Sequence, residues 1–365
     1  MREPKQLDQH GYAAELEVER VVAGDPALAG QRLRIGWEEL APRRRPRFEE
    51  AGRILVALDP LPTWSLWRQR FPEGGAWAVA ERGQAFLRDP DAATATHLAR
   101  YLSLPGSERD GAPGVEALIA LVAGAHPDVA GAALVRLRRA PGLAKRMSEA
   151  ARAQLGAALR DATRPRELRA AALELVGARE LEALRPVVAE LAAPGSALEA
   201  PATAALAELD GGLALERVES LLRSADPALR VVGVRHARGT VAEGRLSSLI
   251  RTDPDPEVRK AAVRSIVAWR GEAALGDAEA ALFDAEPSVR AVAAQAIGAV
   301  GEPAVPRLRG LLEGRGMPDA AAPIAALRFA GPAGMAALQE VAQSHPDEKV
   351  RAVARLALGQ GADLH

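Results

Sequence analysis

Cysteine is absent from the 365-residue chain. That excludes a disulfide framework, a thiolate nucleophile and any Cys-ligated zinc or iron–sulfur centre. Net charge is nearly absent as well: 47 Lys and Arg against 48 Asp and Glu leave −1. Such a balance argues against non-specific binding to nucleic acid or an anionic membrane as the main business. No apolar run reaches the roughly 18 residues that a transmembrane helix needs. The opening Met1 to His10 is polar and lacks the apolar core of a signal peptide. Read literally, that places the chain in the cytoplasm; a mature exported protein with an added Met1 reads the same. Lysine is confined to Lys5, Lys145, Lys260 and Lys349. Where Arg stands in for Lys throughout, an Arg cluster is weaker evidence of phosphate binding.

Aromatics make up 3% of the chain, and they are unevenly placed. Tyr12, Trp37, Phe48, Trp64, Trp67, Phe71, Trp77, Phe86 and Tyr101 fall early; only Trp269, Phe283 and Phe329 follow. The shift near residue 105 marks a boundary between a domain over 1–104 and another over 105–365. What is abundant is ordinary globular material, 48% hydrophobic and 26% charged, which excludes wholesale disorder.

In the first domain, residues 13–22 and 31–37 alternate apolar and polar positions as half-buried strands do. Residues 53–58 form a short apolar run, and 76–80 and 84–88 supply two more strands. Gly and Pro punctuate them. This predicts a small antiparallel β-barrel or sandwich, followed by a helix capped by Asp89-Pro90-Asp91 and running to about Leu104. The order of Gly52 to Leu58, Trp64 to Trp77 and Gly83-Gln84-Ala85-Phe86 resembles a small β-barrel module of extracytoplasmic bacterial proteins. That resemblance implies export. Arg43-Arg44-Arg45-Pro46-Arg47 is the densest basic run, and Glu38, Glu39, Glu49 and Glu50 neutralise it locally, so a solvated loop is favoured over an anion site. Trp64 and Trp67 admit two readings, a ligand-stacking face or barrel core; residue type favours core.

From about residue 112 the chain repeats. Units align on an acid, a variable residue, an apolar residue and an Arg: Asp226 to Arg230, Asp255 to Arg259, Glu286 to Arg290 and Asp347 to Arg351. Pro165 to Arg169 is an upstream relative, and degenerate units fall near Ser196 to Ala200 and Pro318 to Ala322. Arg230, Arg259 and Arg290 are 29 and 31 residues apart, so the period is about 30. An Asp N-cap with Pro at the first helical position starts each helix. Val258, Ala262, Ile266 and Trp269 line one face, and a Gly in the left-handed conformation closes it. A second helix follows, as at Pro303 to Leu312 or Ala333 to Gln343. Two helices in thirty residues is an α-solenoid unit, and about eight such pairs are expected. The fold class is therefore α+β: a small antiparallel β domain, then an α-α superhelix.

The string over Asp255 to Val263 and Glu286 to Gly298 resembles the short HEAT-like repeats typified by phycobilisome-lyase-type proteins. The resemblance spans about 250 residues. It implies the solenoid fold and is nearly silent on function.

Candidate sites are correspondingly few. The acids and arginines of the motif (Asp226, Arg230, Asp255, Arg259, Glu286, Arg290, Asp347 and Arg351) resemble the ladder that links adjacent units in HEAT-type arrays. Acid pairs such as Asp253/Asp255 read as solvated features. None of the six histidines has metal-site spacing, and the paired His-Glu motifs of the HEAT-like di-iron hydroxylases do not occur; His126 and His345 each precede Pro and read as turn residues. No nucleophile–base pair, phosphate loop or dinucleotide motif is present. No catalytic, cofactor or metal site is expected. Arg136, Arg138, Arg139, Lys145 and Arg146 form a basic cluster of the kind that HEAT-like alkylpurine glycosylases use on DNA, but the overall charge balance argues against that use. The leading expectation is a non-catalytic scaffold that binds a protein partner through the concave face of the solenoid, the β domain, or both. Arg235, Arg238, Arg264, Gln295 and Arg355, assigned to the second helix of each unit, are its candidate contacts, with Trp64 and Trp67. A bilin-lyase-type enzyme and a nucleic-acid binder are the alternatives.

Overall fold

The computed structural model describes residues 5–6, 11–38, 52–60, 76–79, 86–140, 142–239, 241–313 and 320–359. Trp64, Trp67 and the Arg43 to Arg47 run lie outside these residues. The chain divides into two compact units, 1–191 and 192–365. The change from strand to helix, at 88–92, falls inside the first unit.

Among the described residues seven short strands precede the α-helices: β1 (Lys5–Gln6), β2 (Gly11–Glu17), β3 (Arg32–Glu38), β4 (Ile54–Val56), β5 (Leu58–Pro60), β6 (Ala76–Val79) and β7 (Phe86–Arg88). The β2–β3 register sets Ala14 opposite Ile35 and Leu16 opposite Leu33. These four residues face one core with Val79. The alternate positions pair Glu15 with Arg34 and Glu17 with Arg32, opposite charges across the strands. Ile54 and Val56 of the separate β4–β7 ribbon pack on the same cluster, as does Trp77.

Two expectations for this region are corrected. The sheet order β1-β2-β3-β6-β5 is open, so it is not a barrel. Its β5 edge ends in Pro60, which has no N–H to give a further strand. Nor is the sheet purely antiparallel: β3 and β6 run parallel, Ile35 beside Trp77. Parallel neighbours need a long crossover, and the chain between Glu38 and Ala76 supplies the length.

Helix α1 (Ala92–Ser103) starts where Asp91 accepts the Thr94 N–H at 2.5 Å. It packs on α2 (Ala112–Gly124), and α3 (Pro127–Arg139), α4 (Glu149–Arg160), α5 (Arg166–Ala178) and α6 (Arg185–Leu191) follow, with single helical turns at Gly106–Arg109 and Leu143–Arg146. Thr94 is fully buried, and its hydroxyl accepts the His126 N–H at 2.7 Å. That bond ties α1 to the loop that opens α3.

The second unit holds α7 (Glu199–Leu209), α8 (Leu215–Leu222), α9 (Pro227–Arg235), α10 (Leu246–Thr252), α11 (Pro256–Arg270), α12 (Pro287–Gly298), α13 (Val305–Glu313), α14 (Ala321–Phe329), α15 (Gly331–Ser344) and α16 (Glu348–Gly359). Val258, Ala262 and Ile266 are fully buried, and Trp269 packs at the margin of the same cluster. After α11 the second helix is fragmented into a 3-10 turn (Gly271–Ala274), one α turn (Leu275–Ala278) and another 3-10 turn (Glu279–Phe283). Gly271 ends α11 at φ +54°, and Gly301, three residues past α12, opens the following 3-10 turn at φ +84°; side chains rarely adopt these conformations. Gly298 has a different task. A Cβ there would lie 2.4 Å from the Ala326 carbonyl oxygen and 2.5 Å from the Phe329 Cβ, so its bareness sets the approach of α14 to α12.

Candidate interaction surface

The repeat motif builds its own loops first. Asp226 accepts the Ala228 N–H at 2.8 Å, Asp255 accepts Glu257 at 2.8 Å and Val258 at 3.4 Å, and Asp347 accepts Lys349 at 2.8 Å. These acids are helix caps. Glu286, one methylene longer, makes no such bond.

The motif arginine staples the same loop. Arg230 donates to the Ser224 and Ala225 carbonyls at 3.0 and 3.1 Å, and Arg259 to Asp253 and Pro254 at 2.8 and 3.2 Å. Arg290 donates to Asp284 and Ala285 at 2.8 and 3.1 Å, and Arg351 to the carbonyls of His345 and, at 3.1 Å, Pro346. In the upstream relative, Arg169 donates to the Leu159 carbonyl at 2.8 Å.

A ladder between units exists, but its acids are not the caps. Arg230 forks onto Asp253 at 2.9 and 2.8 Å, and Arg259 onto Asp284 at 2.7 and 2.8 Å. Each acid sits two residues before the next unit's cap and also accepts that cap's N–H: Asp255 onto Asp253 at 3.0 Å, Glu286 onto Asp284 at 2.8 Å. The pairing of Arg with Asp226 or Asp255 is thereby corrected, because those carboxylates are already engaged with amides of their own helix. The solvated reading of Asp253 is corrected too; the residue is 6% exposed. The visible signal is the spacing Asp-x-acid at Asp253/Asp255 and Asp284/Glu286. At the same position Ser224 accepts the Asp226 N–H at 3.2 Å, and His345 Nδ1 accepts Asp347 at 3.1 Å. With Nδ1 accepting, His345 Nε2 carries the proton and donates to the Leu312 carbonyl at 2.9 Å.

Electrostatics follow the geometry. The Asp253 hydrogen bonds raise the Arg230 pKa, and those of Asp284 raise that of Arg259, each against a smaller desolvation effect. Burial alone would raise the Asp284 carboxyl. The Arg259 bond, the Glu286 N–H and the charges of Arg259 and Arg290 together outweigh burial and hold it below its usual value.

Five residues beyond the motif arginine the same helices face solvent. Arg235 ends α9, Arg264 lies in mid-α11 and Gln295 on α12, all exposed. Arg238 follows α9, and Arg355 on α16 donates to the Ala342 carbonyl at 3.3 Å and meets Glu348 at 3.4 Å. Arg235, Arg264, Gln295 and Arg355 thus stand on the Pro- or acid-started helices, and Arg238 just after one, rather than on the helices that follow. His236, against Arg235, is pushed down in pKa by burial and by that neighbour's charge, against the pull of Glu208. Phe329 and Leu356, 54% and 64% exposed, stand on the same series of helices; a single exposed apolar residue leaves no sequence signature, so both were missed.

The basic cluster of the first unit is largely engaged. Arg136 meets Asp110 at 3.1 Å and lies 5.9 Å from the Tyr101 ring centre. Arg138 pairs with Glu174, and Arg146 donates to the Asp110 carbonyl. Among the described residues no group of three or more His, Asp or Glu side chains is arranged to hold a metal ion. None of their helices is long and apolar enough to cross a membrane.

Capped helix pairs on a thirty-residue period, joined by an Arg–Asp ladder, define a helical-repeat protein of HEAT-like type with a small open sheet at its N-terminal end. Residues 244–328 match the family model for HEAT repeats. No curated protein matches the chain. Among solved structures, human deoxyhypusine hydroxylase in complex with glycerol is similar at 20% identity, over 70% of this chain and 97% of that one, with a TM-score of 0.30. So loose a superposition bears on no chemistry.

Proposed function

We propose that the protein is a non-catalytic scaffold that holds a protein partner on the exposed ridge of its Pro-capped helices. One observation carries this reading: the arginines of the motif are consumed by internal bonds, whereas a second row, Arg235 and Arg264 with Gln295, is presented to solvent in the same register on successive helices. Repetition of a folding motif needs only the first row. The test is capture from native-host extract on the immobilised full-length chain, read by mass spectrometry and followed by analytical ultracentrifugation of the purified pair. A single stoichiometric protein partner is expected. A substrate turnover abolished by one substitution in a repeat helix would sink the scaffold reading and make the chain an enzyme.

A further inference from the structure

Side-chain chemistry along this ridge is graded. At the position five beyond the motif arginine stand Arg235 on α9, Arg264 on α11, Gln295 on α12 and Leu356 on α16. On α14, aligned through Gly301 and Gly331, that position is the half-buried Ala325, and Phe329 projects one turn further along. The helices pack in sequence: α9 on α11, α11 on α12, α12 on α14, α14 on α16. Packed helices lie about 8–10 Å apart. Arg235, Arg238 and Arg264 have no ion-pair partner among the described residues. Glu208 acts on the neighbouring His236 at that end, where Arg235, Arg238 and Arg264 carry the opposite sign. One turn nearer the loop ends of α12, α14 and α16 stand the small exposed residues Ala291, Ala321 and Ala352.

Resting on the scaffold reading, we propose that the ridge binds an extended peptide, acidic over α9 and α11 and apolar over α14 and α16. A polyproline-II chain, with three residues per turn and about 3.1 Å per residue, brings every third side chain back to one face near 9 Å, the spacing of the helices. Carboxylates three residues apart then meet Arg235 and Arg264. The Gln295 amide, both donor and acceptor, pairs with the peptide main chain at the midpoint. Phe329 and Leu356 cover the apolar end. A nucleic acid strand carries uniform charge along its length and matches one end of the ridge only. A helical ligand has no free main-chain groups to offer Gln295.

The probe is a fluorescein-labelled peptide with Glu, Glu, Asn, Leu and Leu at every third position and Pro and Ser between, since Pro bars a helix. Anisotropy is measured on the full-length chain. Saturable binding is expected, weakened at least about tenfold by Arg235→Glu with Arg264→Glu and about fivefold by Phe329→Ser with Leu356→Ser. Circular dichroism melting at the wild-type midpoint shows that these exposed substitutions leave the fold intact. Equal binding of a probe with Lys for Glu overturns the proposal. So does tighter binding of an oligothymidylate, or of a Pro-free helical probe. Extract capture that survives the Arg235→Glu, Arg264→Glu variant overturns the ridge proposal and leaves the scaffold reading standing; loss of both capture and probe binding in the wild-type chain removes both.

Discussion

At the loop ends of α9 and α11, the side chains of Arg230 and Arg259 are 11% and 14% exposed, each held by a carboxylate and two carbonyls. Five residues along the same two helices, Arg235 and Arg264 stand in solvent. Residue type, helix and spacing from the cap are equivalent between the two units; surroundings differ. An enclosed guanidinium is tolerable only where its donors are satisfied. Such a site is part of the fold and is unavailable to a partner. Arg235 and Arg264 have no ion-pair partner among the described residues.

The sharpest way to break this contrast is Asp284→Ala, which strands Arg259. A loss of about 3 kcal/mol is expected in urea unfolding, because a lone enclosed charge remains. Arg259→Met with Asp284→Leu should recover most of it. The pH dependence has a definite sign. Asp284 titrates lower in the folded chain, so its contribution is complete above the unfolded carboxylate pKa of about 4 and fades as pH falls through the folded value. Asp284→Ala should flatten that acid limb.

Next in size is Gly298→Ala. Its added methyl meets the Ala326 carbonyl and the Phe329 Cβ, and overpacking there should cost about 2 kcal/mol by the same measurement. Asp255→Ala should cost about 1 kcal/mol through the lost cap. Glu286→Ala, at the equivalent position without a cap bond, should cost clearly less; equal losses would show that both acids act through charge on the helix end. Smallest are Arg235→Ala and Arg264→Ala, each expected to move stability by less than about 0.5 kcal/mol. A larger loss would put the ridge with the loop ends as structural.

Much of this was legible in the residues. The period, the Asp-Pro caps and the apolar faces of α11 and α12 are local, and local propensity with helical periodicity suffices to read them. The strands β2 and β3 were visible in their alternation, and β6 as a short apolar stretch. The parallel pairing of β3 with β6 was not, because two strands of like pattern can be laid side by side in either direction. Asp253 and Asp284 were hidden for a related reason: an Asp two residues before a cap reads as an exposed turn residue until the arginine of the preceding unit is brought against it.

The sequence by itself determined that helices of about thirty-residue period would form, where most of them begin, and that those of the clear units carry one arginine at the loop end and a variable residue five positions on. Only tertiary structure decided which acid each arginine meets, which helix face is covered, and that Arg235, Arg264, Phe329 and Leu356 share one series of packed helices. The physical reason is range. Caps and periodicity act within one or two helical turns, whereas ion pairing and burial depend on a neighbour roughly thirty residues away, whose position exists only once the units stack.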